Sequence, residues 1–162
     1  MALFLSTFIN KVDQKGRISV PAPYRAALKG QSFKGVVAFR SYRAAVIEAC
    51  AMDRMEQLSQ SVDLLEQFSE EQDDLASTIF ADSHQIPIDG DGRIVLPPQL
   101  IEHAGIKNQA AFVGRGATFQ IWEPKAFEDH QNEARVRARE RRATLALAPR
   151  DTSRDTSRDK DR

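Results

Sequence analysis

Two arginines, Arg17 and Arg93, each follow an aspartate by four residues. The aspartates are Asp13 and Asp89, and a glycine, Gly16 or Gly92, stands just before each arginine. A carboxylate and a guanidinium at that spacing across a glycine turn have two uses. The acid can pin the turn, through Asx-type hydrogen bonds or by pairing with the arginine. The arginine can instead point outward, to phosphates or to guanine edges. The two uses can coexist, because the acid can orient the base. Lys15 favours the outward reading in the first copy, since a lysine at a turn tip has no core to join. Asp91 holds that place in the second copy, so the second turn should bind an anion more weakly.

The elements that must hold these residues come from an internal repeat. Asp13-Gln-Lys-Gly-Arg-Ile-Ser-Val-Pro21 returns as Asp89-Gly-Asp-Gly-Arg-Ile-Val-Leu-Pro97, shifted by 76 residues without a gap. Val12 and Ile88 extend the match upstream. A repeat decides the architecture before any single element does. Val12-Asp13 ends one strand, and Ile18 to Val20 and Ile94 to Leu96 begin others, being rich in β-branched residues. Gly16 and Gly92 supply the positive φ of the intervening turn. Pro21 and Pro97-Pro98 then open short helices at Tyr24–Leu28 and 99–104, with Gly30 and Gly105 as terminators. Further strands are expected at Val36–Phe39 and Ala44–Glu48, and at Ala111–Val113 and Thr118–Trp122. Each unit alone buries too little surface for comfort. The expected class is therefore α+β, mainly β with helices, in which two tandem repeats interleave into one barrel.

The chain has 162 residues, 41% hydrophobic and 28% charged, as soluble globular proteins do. No apolar run approaches a membrane span. Met1 to Leu5 is apolar but lacks a basic flank and a cleavage pattern, so a first strand is expected there rather than a secretory signal. The single Cys50 excludes an internal disulfide framework and fits the cytoplasm. Formal net charge is zero. That total conceals a basic first unit, with eight lysines and arginines against Asp13 in residues 1–43, and an acidic stretch, with ten acids against Arg54 in residues 44–82. Local clustering creates the field a polyanion feels.

Along the chain, residues 1–50 form the first repeat and 51–82 an acidic helical connector. Met52, Met55, Leu58 and Val62 share one helical face, and Ser69-Glu-Glu-Gln72 resembles a capping box opening a second helix. Its buried stripe is Leu75, Ile79 and Phe80. Residues 83–126 form the second repeat, 127–148 a C-terminal helix, and 149–162 a disordered tail with a doubled Asp-Thr-Ser-Arg. The connector reads first as a solvated hairpin and second as an acidic partner-binding surface.

Other chemistry finds no footing. Asp89-Gly-Asp-Gly resembles a calcium loop only until its twelfth position, Leu100, where a bidentate glutamate is needed. His84, His103 and His130 have no metal-ligand spacing. There is no phosphate loop, nucleophile elbow or zinc-protease helix. No catalytic residue, metal, cofactor or small-molecule substrate is expected. The arginine run 135–142 reads as a solvated helix face before it reads as a nucleic-acid contact. Phe119 and Trp122 read as core, since they sit in an alternating strand.

The doubled D-x-x-G-R-[IL]-x-[VL]-P pattern resembles the MraZ family of bacterial transcriptional regulators, within the wider group of AbrB-like DNA-binding proteins. The resemblance covers about residues 3–140, including His103-Ala-Gly105, Val113-Gly114 and Ile121-Trp122. The family signature D-x-x-x-R falls on Asp13/Arg17 and Asp89/Arg93. Ala49-Cys50-Ala51 departs from the family, which usually has an aromatic or proline there. The resemblance implies a pseudo-symmetric barrel of two halves and a ring-like homo-oligomer. It also implies binding to short direct repeats in the promoter of the division and cell-wall gene cluster, at the nucleoid in the cytoplasm.

The expected function is thus a sequence-specific DNA-binding regulator, a repressor by preference. Its DNA-binding residues are Lys11, Lys15, Arg17, Arg40 and Arg93, and Asp13, Gly16, Asp89 and Gly92 orient the turns. One protomer offers few cations, so an oligomer on successive repeats gains through effective concentration. Part of the affinity should depend steeply on salt. The rival is an antitoxin-like interaction module, in which the acidic connector meets a protein partner.

Overall fold

The computed structural model describes residues 2–142 and 144–150. They fall into two compact units, one closing at Asp129 and the other beginning at His130. Of the expected disordered tail, residues 151–162 lie outside the described residues.

The first repeat gives β1 (Thr7–Lys11), β2 (Arg17–Ser19), α1 (Ala22–Ala27), β3 (Gly35–Arg40) and β4 (Ile47–Cys50). The connector gives α2 (Met52–Asp63) and α3 (Glu70–Leu75), which runs on into a π-helical turn, Ala76–Phe80. The second repeat gives β5 (His84–Pro87), β6 (Arg93–Val95), α4 (Pro98–Ala104), β7 (Gln109–Gly114) and β8 (Phe119–Trp122). Last comes α5 (Pro124–Glu140), which opens at Pro124 and ends before the expected 148. β4 also differs from expectation. It starts at Ile47 because Ser41 and Val46 close a loop, with Ser41 N donating to Val46 O at 3.0 Å. Residues 2–5 are not a strand. Only Phe4 bridges, to Gly116, and Ser6 at φ 71° bends the chain before β1 begins.

The protein is a mixed α+β fold with antiparallel sheets. Six strands pair in the order β1-β7-β8-β4-β3-β5, and β2 pairs with β6 in a separate ribbon. Matching each strand to its counterpart in the other repeat, the six-strand order reads the same from both ends. The ladder partners of β1, β2, β5 and β6 all lie in the other half: β1 pairs with β7, β5 with β3 and β2 with β6. The expected closed barrel is not what the pairing shows. β1 and β5 remain sheet edges, and the three-residue β2 and β6 satisfy each other, leaving one isolated bridge, Val12 to Ile18, between the ribbon and β1.

The main core lies under the ribbon and the sheet. Ile18, Ile94, Val20 and Leu96 are buried there with Tyr24, Leu100, Phe112 and Phe119. Tyr24 meets the rings of Phe4, Phe8, Phe112 and Phe119 at centroid distances of 5.1–6.0 Å. Its hydroxyl donates to Ser6 O at 2.7 Å, so the bend at Ser6 is fixed from the core. Burial pushes that hydroxyl's pKa up to about 12. The back of β3 carries a second cluster, where Val37, Phe39 and Cys50 meet Met55 and Ile79 of the connector, with Met52, Leu58, Leu75 and Phe80 around them. Truncating a buried methionine at such a seam costs ~2–5 kcal/mol. The capping expectation is met with a shift: Ser69 Oγ accepts from Gln72 N at 3.2 Å, but Gln72 Oε1 accepts from Phe68 N, one residue early.

Candidate nucleic-acid interface

Both glycine turns have the same backbone. In the first, Gly16 N donates to Asp13 O at 3.0 Å and Asp13 N to Arg17 O at 3.1 Å. In the second, Gly92 N donates to Asp89 O at 3.0 Å and Asp89 N to Arg93 O at 2.9 Å. This is a three-residue hairpin loop that needs a left-handed residue last, and Gly16 at φ 80° and Gly92 at φ 76° supply it. Gly16 is also boxed in, since a Cβ there would sit 2.8 Å from Leu96 O.

The aspartates pin both turns alike. Asp13 Oδ1 accepts from Lys15 N and Arg17 N, each at 2.9 Å. Asp89 Oδ1 accepts from Asp91 N and Arg93 N, each at 2.9 Å. The backbone amide of Arg17 holds the Asp13 carboxyl below its ordinary range, and that of Arg93 does the same for Asp89. Charge stabilised by amide donors is the physical cause in each.

The guanidinium groups differ. Arg17 Nε donates to Asp13 Oδ2 at 2.6 Å, and its two Nη atoms have no partner among the described residues. Arg93 Nη2 donates to Asp91 Oδ2 at 3.1 Å. Its Nε is drawn out to 3.6 Å from Asp89 Oδ2 and is buried without a hydrogen bond. The two side chains are similarly exposed, at 39% and 36%, so partners rather than access separate them.

The ribbon brings the arginines together. Its register sets Arg17 opposite Val95 and Ser19 opposite Arg93, with Ile18 facing Ile94 between them. Alternation buries the isoleucines and turns Arg17, Ser19, Arg93 and Val95 to the other face. Diagonal neighbours on such a face lie ~7–8 Å apart. Lys11, Asp13, Arg17 and Arg93 line one groove of about 500 Å³ with Asn108 and Gln109. Asn10 Nδ2 donates to Ser19 O at 2.7 Å and ties β1 to the ribbon.

Lys15 stands at the tip of the first turn, exposed and outside that groove. Arg40 is elsewhere, at the end of β3. Asp82 holds its backbone N at 2.9 Å and its Nη2 at 2.5 Å, and the side-chain hydrogen bond between them lowers the Asp82 pKa and raises that of Arg40. The arginine run sits in the last turns of α5 and beyond, where Arg137 lies 3.7 Å from Glu133. Phe119 and Trp122 are buried core residues.

Sequence reasoning missed Arg25, whose Nη1 donates to Val20 O at 2.6 Å beside the second turn. A signal was present: in the repeat Arg25 stands where Ile101 does. It also missed His103, whose Nε2 lies 3.0 Å from Ala44 O and joins α4 to the loop before β4.

A family model described as "MraZ protein, putative antitoxin-like" matches residues 79–147. The chain is 48% identical over 148 residues to the transcriptional regulator MraZ of Rickettsia akari (strain Hartford), covering 91% of this chain and 99% of that protein. It is 47% identical over 148 residues to the protein of that name in Rickettsia rickettsii (strain Sheila Smith), with the same shares covered. For Rickettsia bellii (strain OSU 85-389) identity is 46% over 146 residues, covering 90% and 97%. The chain belongs to the MraZ family.

Proposed function

We propose that this MraZ-family chain is a transcriptional regulator that binds double-stranded DNA through the outer face of the β2–β6 ribbon and the first glycine turn. The observation that carries the reading is the free end of Arg17. Asp13 holds Nε and sets the plane, while both Nη atoms are left for a phosphate or a guanine edge. Lys15 adds charge at the tip, and Lys11 and Arg93 line the adjoining groove. Arg40 enters the set with its guanidinium already held by Asp82, so its share is the smallest. Asp13, Gly16, Asp89 and Gly92 orient the turns.

On this reading residues 1–50 and 83–126 are two AbrB-like halves related by a pseudo-two-fold through the ribbon. Residues 51–82 are the connector and 127–148 the C-terminal segment. The palindromic strand order supports that relation. The protein acts as a ring-like homo-oligomer on direct repeats, as a repressor of the division and cell-wall cluster, in the cytoplasm at the nucleoid. It has no catalytic role and needs no cofactor. A gel-shift titration tests this, with DNA from upstream of its own gene against a scrambled duplex at two salt concentrations. Preferential, salt-resistant shifting of the first duplex is expected, with loss in Lys15→Glu and Arg17→Glu variants of unchanged oligomeric state. Equal shifts that vanish together with salt would reduce the activity to generic polyanion binding.

One observation favours the antitoxin-like reading as a second possibility. Leu64 and Phe68, at the connector's hairpin tip among Asp63, Glu66 and Glu70, are 88% and 98% exposed. A stoichiometric partner that co-purifies with the chain and is lost on Phe68→Ser would support it.

A further inference from the structure

We propose that the groove beside the second glycine turn is a binding site for a small amphipathic anion, a carboxylate or phosphate carried on a short apolar body. The groove holds about 530 Å³, within the range of small-molecule pockets. It lies between α1, the segment leading into β3, and the second turn. Leu28 and Ile88 form apolar lining, and Arg25, Lys29 and Lys34 bring three cations to the same space.

Those cations are not balanced from within. Lys29 and Lys34 have no ion-pair partner among the described residues. The acid of the groove, Asp89, already accepts two amide hydrogen bonds on one oxygen and faces Arg93 with the other. Arg25 uses one Nη on Val20 O, which fixes its plane against the peptide of Gly92; a Cβ on Gly92 would meet that guanidinium at 3.0 Å.

The other repeat isolates what is special here. Lys34 O accepts from Ile88 N, as Asn108 O accepts from Val12 N. Position 34 is thus the counterpart of position 108, and position 25 of position 101. The second repeat carries Asn108 and Ile101 at these places, so the fold is held without either cation. Lys34 is therefore extra to the architecture, while Arg25 both braces Val20 O and brings its charge to the groove. Apolar lining with a cationic wall calls for a ligand with an apolar body as well as a charge. An open groove of this size can seat such a molecule with its apolar body on Leu28 and Ile88, whereas a duplex backbone has no apolar part to fill it.

Gly90 lines the groove, is not left-handed, and has open space where a Cβ would stand. Gly90→Phe therefore fills the site without strain. The test titrates full-length protein with 8-anilinonaphthalene-1-sulfonate by fluorescence, and then displaces the dye with octanoate or with inorganic phosphate. Octanoate should displace it and phosphate should do so much more weakly. Gly90→Phe, and separately Lys29→Gln with Lys34→Gln, should each weaken dye binding by about tenfold or more with unchanged melting, the scale of losing a hydrogen bond to a charge. Leu64→Ser with Phe68→Ser should leave it unchanged. Undiminished binding in the lysine variant, loss in the Leu64/Phe68 variant, displacement by phosphate as good as by octanoate, or no dye binding at all would each overturn the proposal. No DNA is present, so failure here leaves the DNA-binding reading standing.

Discussion

The two glycine turns share a backbone and differ at two positions, Gln14 against Gly90 and, at the tip, Lys15 against Asp91. The amide bonds to Asp13 and Asp89 agree at 2.9 Å, so the tip residue does not disturb the turn itself. It changes what the arginine can do. Asp91 takes an Nη of Arg93 and draws its Nε away from Asp89, whereas Arg17 keeps its outer edge free. The lesson is a division of labour within five residues. Acid and glycine fix the fold in both copies, and the tip sets whether the arginine is offered outward or folded back.

The largest effect that could break this comparison is in Arg17. Arg17→Ala should cost specific DNA affinity about 1–3 kcal/mol, roughly 5–150-fold, in a gel-shift titration, and Arg93→Ala clearly less. Equal losses would end the distinction between the turns. The next sharpens it. Asp91→Lys turns the second tip into the first, releases Arg93, and should raise affinity and steepen the salt dependence of log K by about one unit. Lys15→Gln should flatten that slope by about one, with little change in sequence preference. Arg40→Gln should move the DNA affinity least of the five cations.

Acid tests the half of the turn that the copies share. Both aspartates have folded pKa values below the ordinary 3.8. In that window the unfolded chain binds more protons, so stability rises with pH. The contribution is complete above about the unfolded value and is lost as pH falls through the folded one. Equilibrium unfolding followed from neutral pH into the acid limb should show a shallower fall for Asp13→Asn and for Asp89→Asn alike. A difference between the two would mean that the tip residue reaches the clamp.

Much of this was legible because the repeat exposes its own logic. Comparing the copies isolates the acid, the glycine and the apolar alternation, but the ribbon that joins Ile18 to Ile94 was not legible there, since a repeat does not say which strands pair across its halves. The tip contrast between Lys15 and Asp91 was visible too. The bond from Arg93 to Asp91 was not, since a side chain's rotamer is chosen among competing partners. Arg40 looked like a free cation because Asp82 lies 42 residues away, on a stretch read as a solvated connector. The closed barrel failed for a similar reason. Alternation places residues on faces but does not say whether two edge strands will meet. Residues 2–5 alternate between buried and exposed as a strand's would, yet Ser6, tied to Tyr24, turns the chain out of line.

The crosswise pairing of the strands bears on how the molecule comes into being. When a ribosome has released only the first repeat, β1 has no β7 and β2 has no β6. The rings around Tyr24 still lack Phe112 and Phe119. Contacts this distant along the chain slow folding, and apolar surface left waiting invites aggregation. Synthesis must therefore reach β8 before the pairs β1–β7 and β4–β8 and the ring cluster around Tyr24 can all form.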